Sequence, residues 1–363
     1  MKPKVYFASV QPQTLEPQST LPAKFERLLE RHSLRSFVEG KSVAIKMHFG
    51  GNIGYTTIHP LFVGILVKAV RNAGGKPFIT DGSFSLQGAR VRGYTEDVIG
   101  CPAMPAAGFN EKYLYRRAVD FNTLKQVEVT GQVADADVLI DFSHVKGHGA
   151  CGYGGACKNL AMGCVSGKTR ADIHHLEGGL TWLEEKCGHC NKCIEACRTG
   201  AARFNDEGKL WIFYHHCIYC QHCATACPNK AITLKPGGYK DFQKGMAIAT
   251  REVLRFFEPA SVLYINVLLN ITMVCDCWGF STPSVVPDIG IVSSHDIVAI
   301  ERASLDMIKV ENFIPNSLPK DRSLRDEGRH LFERIHAKDP FVQVDLLEAE
   351  GLGSQEYELI EVE

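Results

Sequence analysis

The chain lacks a net charge of either sign: 40 Lys and Arg residues stand against 41 Asp and Glu. No field is therefore available to gather polyphosphate, nucleic acid or an anionic membrane. A long apolar run is also missing. The longest, residues 260–275, is broken by Asn266 and Asn270 and falls short of the roughly 20 residues of a membrane-spanning helix; it reads as a buried strand. After Met1-Lys2-Pro3-Lys4, the short apolar stretch 5–10 ends at Gln11, too early for the core of a secretion signal. These absences predict a cytoplasmic protein with neither nucleic acid nor membrane as partner. With 45% hydrophobic and 22% charged residues, the 363-residue chain has an ordinary globular composition, enough for one large or two ordinary cores.

Cysteine is abundant. Fourteen are present, and in a chain of this size eight of them fall into a metal-ligand spacing rather than a disulfide framework. Residues 187–197 read C-x2-C-x2-C-x3-C, and 217–227 repeat the pattern 30 positions later. Two such runs in tandem are the ligand pattern of a two-cluster ferredoxin, in which three cysteines hold one cluster and the fourth crosses to the other. That rule assigns Cys187, Cys190, Cys193 and Cys227 to one [4Fe-4S] cluster, and Cys217, Cys220, Cys223 and Cys197 to the second. Structural zinc also uses paired C-x2-C, but zinc ribbons do not normally place four cysteines within eleven residues twice. Pro228 follows Cys227, whereas Arg198 follows Cys197, where a cation would raise the potential of the neighbouring cluster. Short strands are expected near 209–213 and 231–234.

The flanks alternate buried apolar runs with helical periodicity. Residues 5–10, 42–49, 77–80 and 137–142 read as strands, several apolar enough to be covered on both faces. A helix over 59–73 carries Phe62, Ile65, Leu66, Ala69 and Val70 on one stripe, and another opens at Thr20-Leu21-Pro22. Downstream, 262–274 and 289–292 read as strands, and Asp296 caps a helix through Ile300, Leu305 and Ile308. The expectation is an α/β fold with a mostly parallel sheet, built from residues 1–180 and 236–363, with a ferredoxin-type α+β module inserted at 181–235. Three consecutive domains are the competing reading.

Ligand sites in open α/β sheets lie beyond the carboxyl ends of strands, and three strand ends carry chemistry. Lys46 and His48 follow the second strand, Asp81 the third. His144, Lys146, His148 and Lys158 flank a glycine-rich loop after the fourth, where Gly147, Gly149, Gly152 and Asn159 offer backbone and amide donors to a ligand. The histidines supply protons and the lysines hold an anionic group. Gly147-x-Gly149-x-x-Gly152 formally matches the dinucleotide fingerprint, with Asp172 beyond it, but further glycines at 154, 155 and 163 argue against the long helix that the fingerprint requires. Cys275 and Cys277 form a separate close pair, a candidate for an additional metal or a redox-active thiol site. Cys101, Cys151, Cys157 and Cys164 read as small buried residues. His174-His175 and His215-His216 have no metal-ligand spacing.

Taken together, Lys46/His48, the stretch from His144 to Lys158-Asn159-Leu160-x-Met162-Gly163, and Cys275-x-Cys277 with Pro287-Asp288-Ile289-Gly290 and Ser294-x-Asp296 resemble domain-of-unknown-function family 362 over nearly the whole chain. The resemblance implies an α/β domain with a pocket at these motifs, fed by clusters, typically in anaerobes. The function expected is an iron-sulfur oxidoreductase that receives single electrons from a ferredoxin, flavodoxin or other redox protein and delivers them to a small molecule in the crevice. A non-enzymatic carrier or a metallocentre-maturation protein is the rival. A redox sensor ranks last, for want of a DNA-reading element.

Overall fold

The computed structural model describes the 363-residue chain except residues 1, 52, 83–85, 198–199, 214–215, 218–220, 236 and 321. The apolar runs become strands, β2 and β6 shorter than their runs, and two short strands, β4 and β8, join that no run marked: β1 (Lys4–Ser9), β2 (Ser42–Lys46), β3 (Lys76–Asp81), β4 (Ala103–Pro105), β5 (Val138–His144), β6 (Val262–Leu268), β7 (Gly290–Ser294) and β8 (Glu358–Glu361). They form one sheet in the order β8-β1-β7-β6-β5-β2-β3-β4. Pairing is parallel from β6 through β4 and between β8 and β1, while β7 runs antiparallel to both of its neighbours. Strands from both flanks of the cysteine repeat thus lie side by side.

Alternation along each strand divides the interior into two cores. Val138, Ile140 and Phe142 of β5 face helices Leu21–Glu30 and Pro60–Asn72. Leu139 faces the other core, beneath helices Ala156–Gly163, Tyr239–Leu254 and Ile297–Met307. Each fully buried branched side chain contributes about 1.5–3 kcal/mol. In Pro60–Asn72 the buried stripe is Phe62, Val63, Leu66, Val67 and Val70; Ile65 and Ala69 are only partly covered, so the helix is rotated from the expected face. Pro60 opens it, and the His59 side chain accepts from the Leu61 N–H at 3.1 Å. Asp296 caps Ile297–Met307 by accepting from the Ala299 N–H at 2.9 Å.

The run expected to be one strand over 262–274 ends at Leu268. Asn270 adopts a left-handed φ of 47° and its N–H donates to Asp288 at 2.6 Å, turning the chain so that the next residues cross the carboxyl edge of β5. No helix among the described residues is long and apolar enough to cross a membrane.

In the cysteine-rich segment the first and last strands, Gly179–Trp182 and Ile232–Lys235, pair antiparallel, and a second hairpin joins Ala202–Phe204 to Leu210–Ile212. The 30-residue repeat is visible in the backbone. Helices Lys192–Glu195 and His222–Thr225 are each preceded by a left-handed residue, Asn191 at φ 60° and Gln221 at φ 62°. At the segment's base Gly237 packs on Gly178 with no room for a side chain between them.

Candidate functional site

Because β2, β3 and β5 are parallel, Lys46, Asp81 and His144 emerge at one edge of the sheet. There a cavity of about 260 Å³ is lined by Lys46, His48, Asp81, His144, His148 and Lys158, with Asn159, Arg170, His174, Cys275, Asp276 and Cys277 completing the wall. Four separate stretches of sequence therefore meet in one place.

One side is organised by Asp81. The Lys46 ammonium lies 3.1 Å from its carboxylate and donates to Asn159 Oδ1 at 2.6 Å and to the Met47 carbonyl at 3.1 Å. His48 Nδ1 donates to the other Asp81 oxygen at 2.8 Å, which also accepts from the Phe49 N–H at 3.1 Å. Burial alone would raise the Asp81 pKa, but Lys46, His48 and these hydrogen bonds outweigh it and hold the carboxyl well below the usual range. The other ring nitrogen of His48, Nε2, is a buried atom without a hydrogen-bond partner among the described residues. Gly163 admits the lysine: a methyl group there would overlap Lys46 Cε and Nζ. Gly163→Ala is expected to displace Lys46 from Asp81 and Asn159 and to destabilise the protein by about 1–3 kcal/mol; urea unfolding of the two proteins measures it.

The opposite side is organised by Asp276. One carboxylate oxygen accepts from Lys146 Nζ at 2.6 Å, the other from His144 Nδ1 at 2.9 Å. Lys146 donates further to the Thr56 carbonyl and hydroxyl at 2.9 and 2.7 Å, and His144 Nε2 lies 2.6 Å from the Leu269 carbonyl, so that the ring donates from both nitrogens only as the imidazolium. Burial would raise Asp276; His144 and Lys146 drive it far below the ordinary value. Burial lowers both Lys146 and His144, Asp276 opposing it in each case. The three donors of Lys146 and both nitrogens of His144 are committed, so these two residues anchor the 269–278 loop rather than reach a ligand.

Between the two sides lie Lys158 and His148. Lys158 Nζ approaches Cys275 Sγ at 3.5 Å, and burial lowers its pKa from the ordinary lysine value. His148 Nδ1 lies 3.1 Å from the Ala150 N–H, from which it accepts, and 3.2 Å from Cys151 Sγ. The cavity thus brings two imidazoles, His48 and His148, to one space. Cys275 and Cys277 are joined as a disulfide. Their sulfurs and a His148 nitrogen lie within 4.8 Å of one another, so on reduction the group also has the composition of a metal site.

The expected glycine cradle is corrected by the structure. Gly147, Gly149 and Gly152 do not line the cavity. Gly147 lies in a short strand Lys146–His148, where a Cβ would strike the Met273 carbonyl; Gly152, at φ 85°, would strike that of Lys338; and the Gly149 carbonyl accepts from Lys338. Their smallness serves backbone packing, whereas Gly154, Gly155 and Gly163 border the ligand space. Asn159 does not point at a ligand either; its amide bridges Lys46 and Asp141. Arg170 and His174, on helix Gly167–His175, were not anticipated, and Asp276 was visible only as the residue between two cysteines.

In the cysteine-rich segment a small void is lined by Cys187, Cys190, Cys193 and Cys227 together, with Trp182, Phe204 and Ile232 around them. Backbone N–H groups of Ala201 and Ala231, again 30 apart, point at the sulfurs of Cys197 and Cys227 at 3.2 and 3.3 Å, the environment a cluster thiolate requires. Cys197 and Cys217 pack on one small apolar cluster and Cys223 on the other. Cys220, Arg198 and His215 lie outside the described residues.

The chain is 31% identical over 90 residues to NADH-quinone oxidoreductase subunit I of Pelobacter propionicus, covering 21% of this chain and 48% of that one. It is 28% identical over 108 residues to the uncharacterized ferredoxin-like protein YdhX of Escherichia coli O157:H7, covering 27% and 47%. It thus spans about half the length of these curated relatives. With the cysteine pattern, they make this an iron-sulfur, ferredoxin-like protein. Among solved structures, the lactate racemase apoprotein from Thermoanaerobacterium thermosaccharolyticum overlaps 74% of this chain and 51% of its own, at a TM-score of 0.35 and 13% identity. The model of the domain of unknown function DUF362 matches residues 43–306, taking in both sides of the cavity and the cysteine repeat between them, and the chain belongs to that family.

Proposed function

We propose that the protein is an iron-sulfur oxidoreductase acting on a small anionic molecule in the cavity at the carboxyl edge of β2, β3 and β5. Cys187, Cys190, Cys193 and Cys227 would hold one [4Fe-4S] cluster, and Cys217, Cys220, Cys223 and Cys197 a second. Bound clusters would supply single electrons, delivered by a ferredoxin, flavodoxin or similar donor. The observation that carries the reading is the set of groups lining one cavity: Lys158 for a negative group and the imidazoles of His48 and His148 to move a proton, with Lys46 holding Asp81 and Asn159 in the wall. Lys146 and His144 hold the wall in place.

The test is anaerobic reduction of the cluster-loaded protein, followed by a screen of small anions for reoxidation of the iron-sulfur absorbance. A ligand that accelerates reoxidation at least tenfold, and loses that effect in Lys158→Ala, is the expected result. If no ligand alters the rate, the cavity is not a redox site. The approach of His148, Cys275 and Cys277 favours a second reading, a protein that holds metal in transit to a partner; one equivalent of zinc or nickel bound at these residues would support it.

A further inference from the structure

We infer that Cys275 and Cys277 are a redox-active pair, cycling between disulfide and dithiol, and that Trp278 connects them to the second cysteine set of the ferredoxin-like segment. The inference rests on the iron-sulfur reading above.

The two sulfurs are placed unequally. Cys275 is buried, between Lys158 Nζ at 3.5 Å and the Cys277 N–H at 3.4 Å, both donors to a thiolate. Cys277 is exposed and borders the cavity. This is the division of labour of an exchanging dithiol, with one accessible sulfur and one whose developing charge is stabilised. The turn Asp276–Trp278, which carries Cys277 and is capped by Cys275, is fixed by the bonds of Asp276 to Lys146 and His144. Cys151, Cys157 and Cys164 differ from this pair: they are fully buried, and burial raises each thiol.

Trp278 supplies the connection. Its ring meets that of Phe213 edge-on, with centroids 5.1 Å apart, and stacks with His216 at 6.3 Å. The Phe213 carbonyl accepts from the Cys217 N–H at 3.1 Å and from the His216 N–H at 2.9 Å. Packed rings and hydrogen bonds therefore run from Cys217 to the residue after Cys277.

The step balances. Two single-electron equivalents from a one-electron donor of the ferredoxin or flavodoxin class break the S–S bond. Lys158 gives a proton to Cys275 and His148 one to Cys277, both replaced from solvent, so a disulfide plus two electrons and two protons becomes two thiols.

The experiment uses cluster-loaded protein reduced anaerobically with methyl viologen, trapped at intervals with iodoacetamide and digested. The peptide bearing residues 275 and 277 is expected to be unlabelled before reduction and doubly labelled after it, with two electrons taken up beyond those bleaching the iron-sulfur absorbance. Trp278→Ala should slow labelling at least tenfold with the cluster spectrum unchanged, and Trp278→Phe should restore most of the rate. A pair that stays unlabelled while the clusters are reduced, labelling at the wild-type rate in Trp278→Ala, or stoichiometric metal on the two cysteines would overturn the inference. Dithiol formation without ligand-dependent reoxidation would instead sink only the cavity's proposed activity.

Discussion

Asp276→Ala is expected to cost about 3–5 kcal/mol, the usual penalty for leaving a buried charge without its partner. Lys146, 1% exposed, would keep only the two Thr56 acceptors, and His144 would lose the partner of Nδ1. The damage spreads because Asp276 ties the 269–278 loop to the strand end of β5 and, through Lys146, to the 56 region. Urea unfolding should show a midpoint shift with an unchanged slope; a shift below about 1 kcal/mol would mean that water takes over the role of the carboxylate. The pH dependence has a definite sign. The folded Asp276 pKa lies far below its unfolded value, so its contribution is present above about pH 4 and is lost as pH falls through the folded pKa.

Asp141 has the opposite sign and is expected to produce the second large effect. It sits on β5 beside Lys46 of β2. One oxygen accepts from Ser143 and Asn159 at 2.5 and 2.6 Å, while the other is buried without a partner among the described residues. Burial, only partly offset by those hydrogen bonds and by Lys46, pushes its pKa up to about 7. A raised folded pKa means stability that is fully present below the unfolded value near 4 and is lost as pH rises through 7. At about 1.4 kcal/mol per pH unit, wild type should lose roughly 2–4 kcal/mol across that window from this group. Glu301, also pushed to about 7 by burial, acts in the same direction. Asp141→Asn cannot ionise, so its stability measured from pH 4 to 8 should fall less steeply than that of wild type. Parallel curves would show that Asp141 is already ionised in the folded protein.

Much of the architecture was legible because a strand covered on both faces must be apolar along its length, as residues 138–142 are. Direction was not. The antiparallel β7 has the same buried Ile-Val character as its parallel neighbours, since hydrophobicity records coverage and not chain sense. The 262–274 run misled for a related reason: Ile271, Met273 and Val274 are as buried as the strand residues, but they cover the site from a loop. Strand ends pointed to Lys46, His48, Asp81 and His144 because topology places the carboxyl ends of parallel strands together. What sequence could not separate was the committed from the available cation. Lys146 and Lys158 are equally lysine; only the position of Asp276 and Thr56 reveals that one is saturated. Likewise, glycines 147, 149 and 152 suit a ligand loop as well as they suit the backbone contacts they make, and Arg170 and His174 come from a polar helix with no pattern to mark them.

The antiparallel seam that closes the cysteine-rich segment, with Gly178 against Gly237 at its foot, has a consequence for how such a chain is assembled over evolutionary time. The two glycines already touch, so removing what lies between them leaves ends that can be joined by a single peptide link, without a spacer and without re-threading any strand of the eight-stranded platform. The cysteine-rich segment thus leaves and re-enters the chain at a single point, and what else fastens it is side-chain packing such as that of Phe213 and His216 on Trp278.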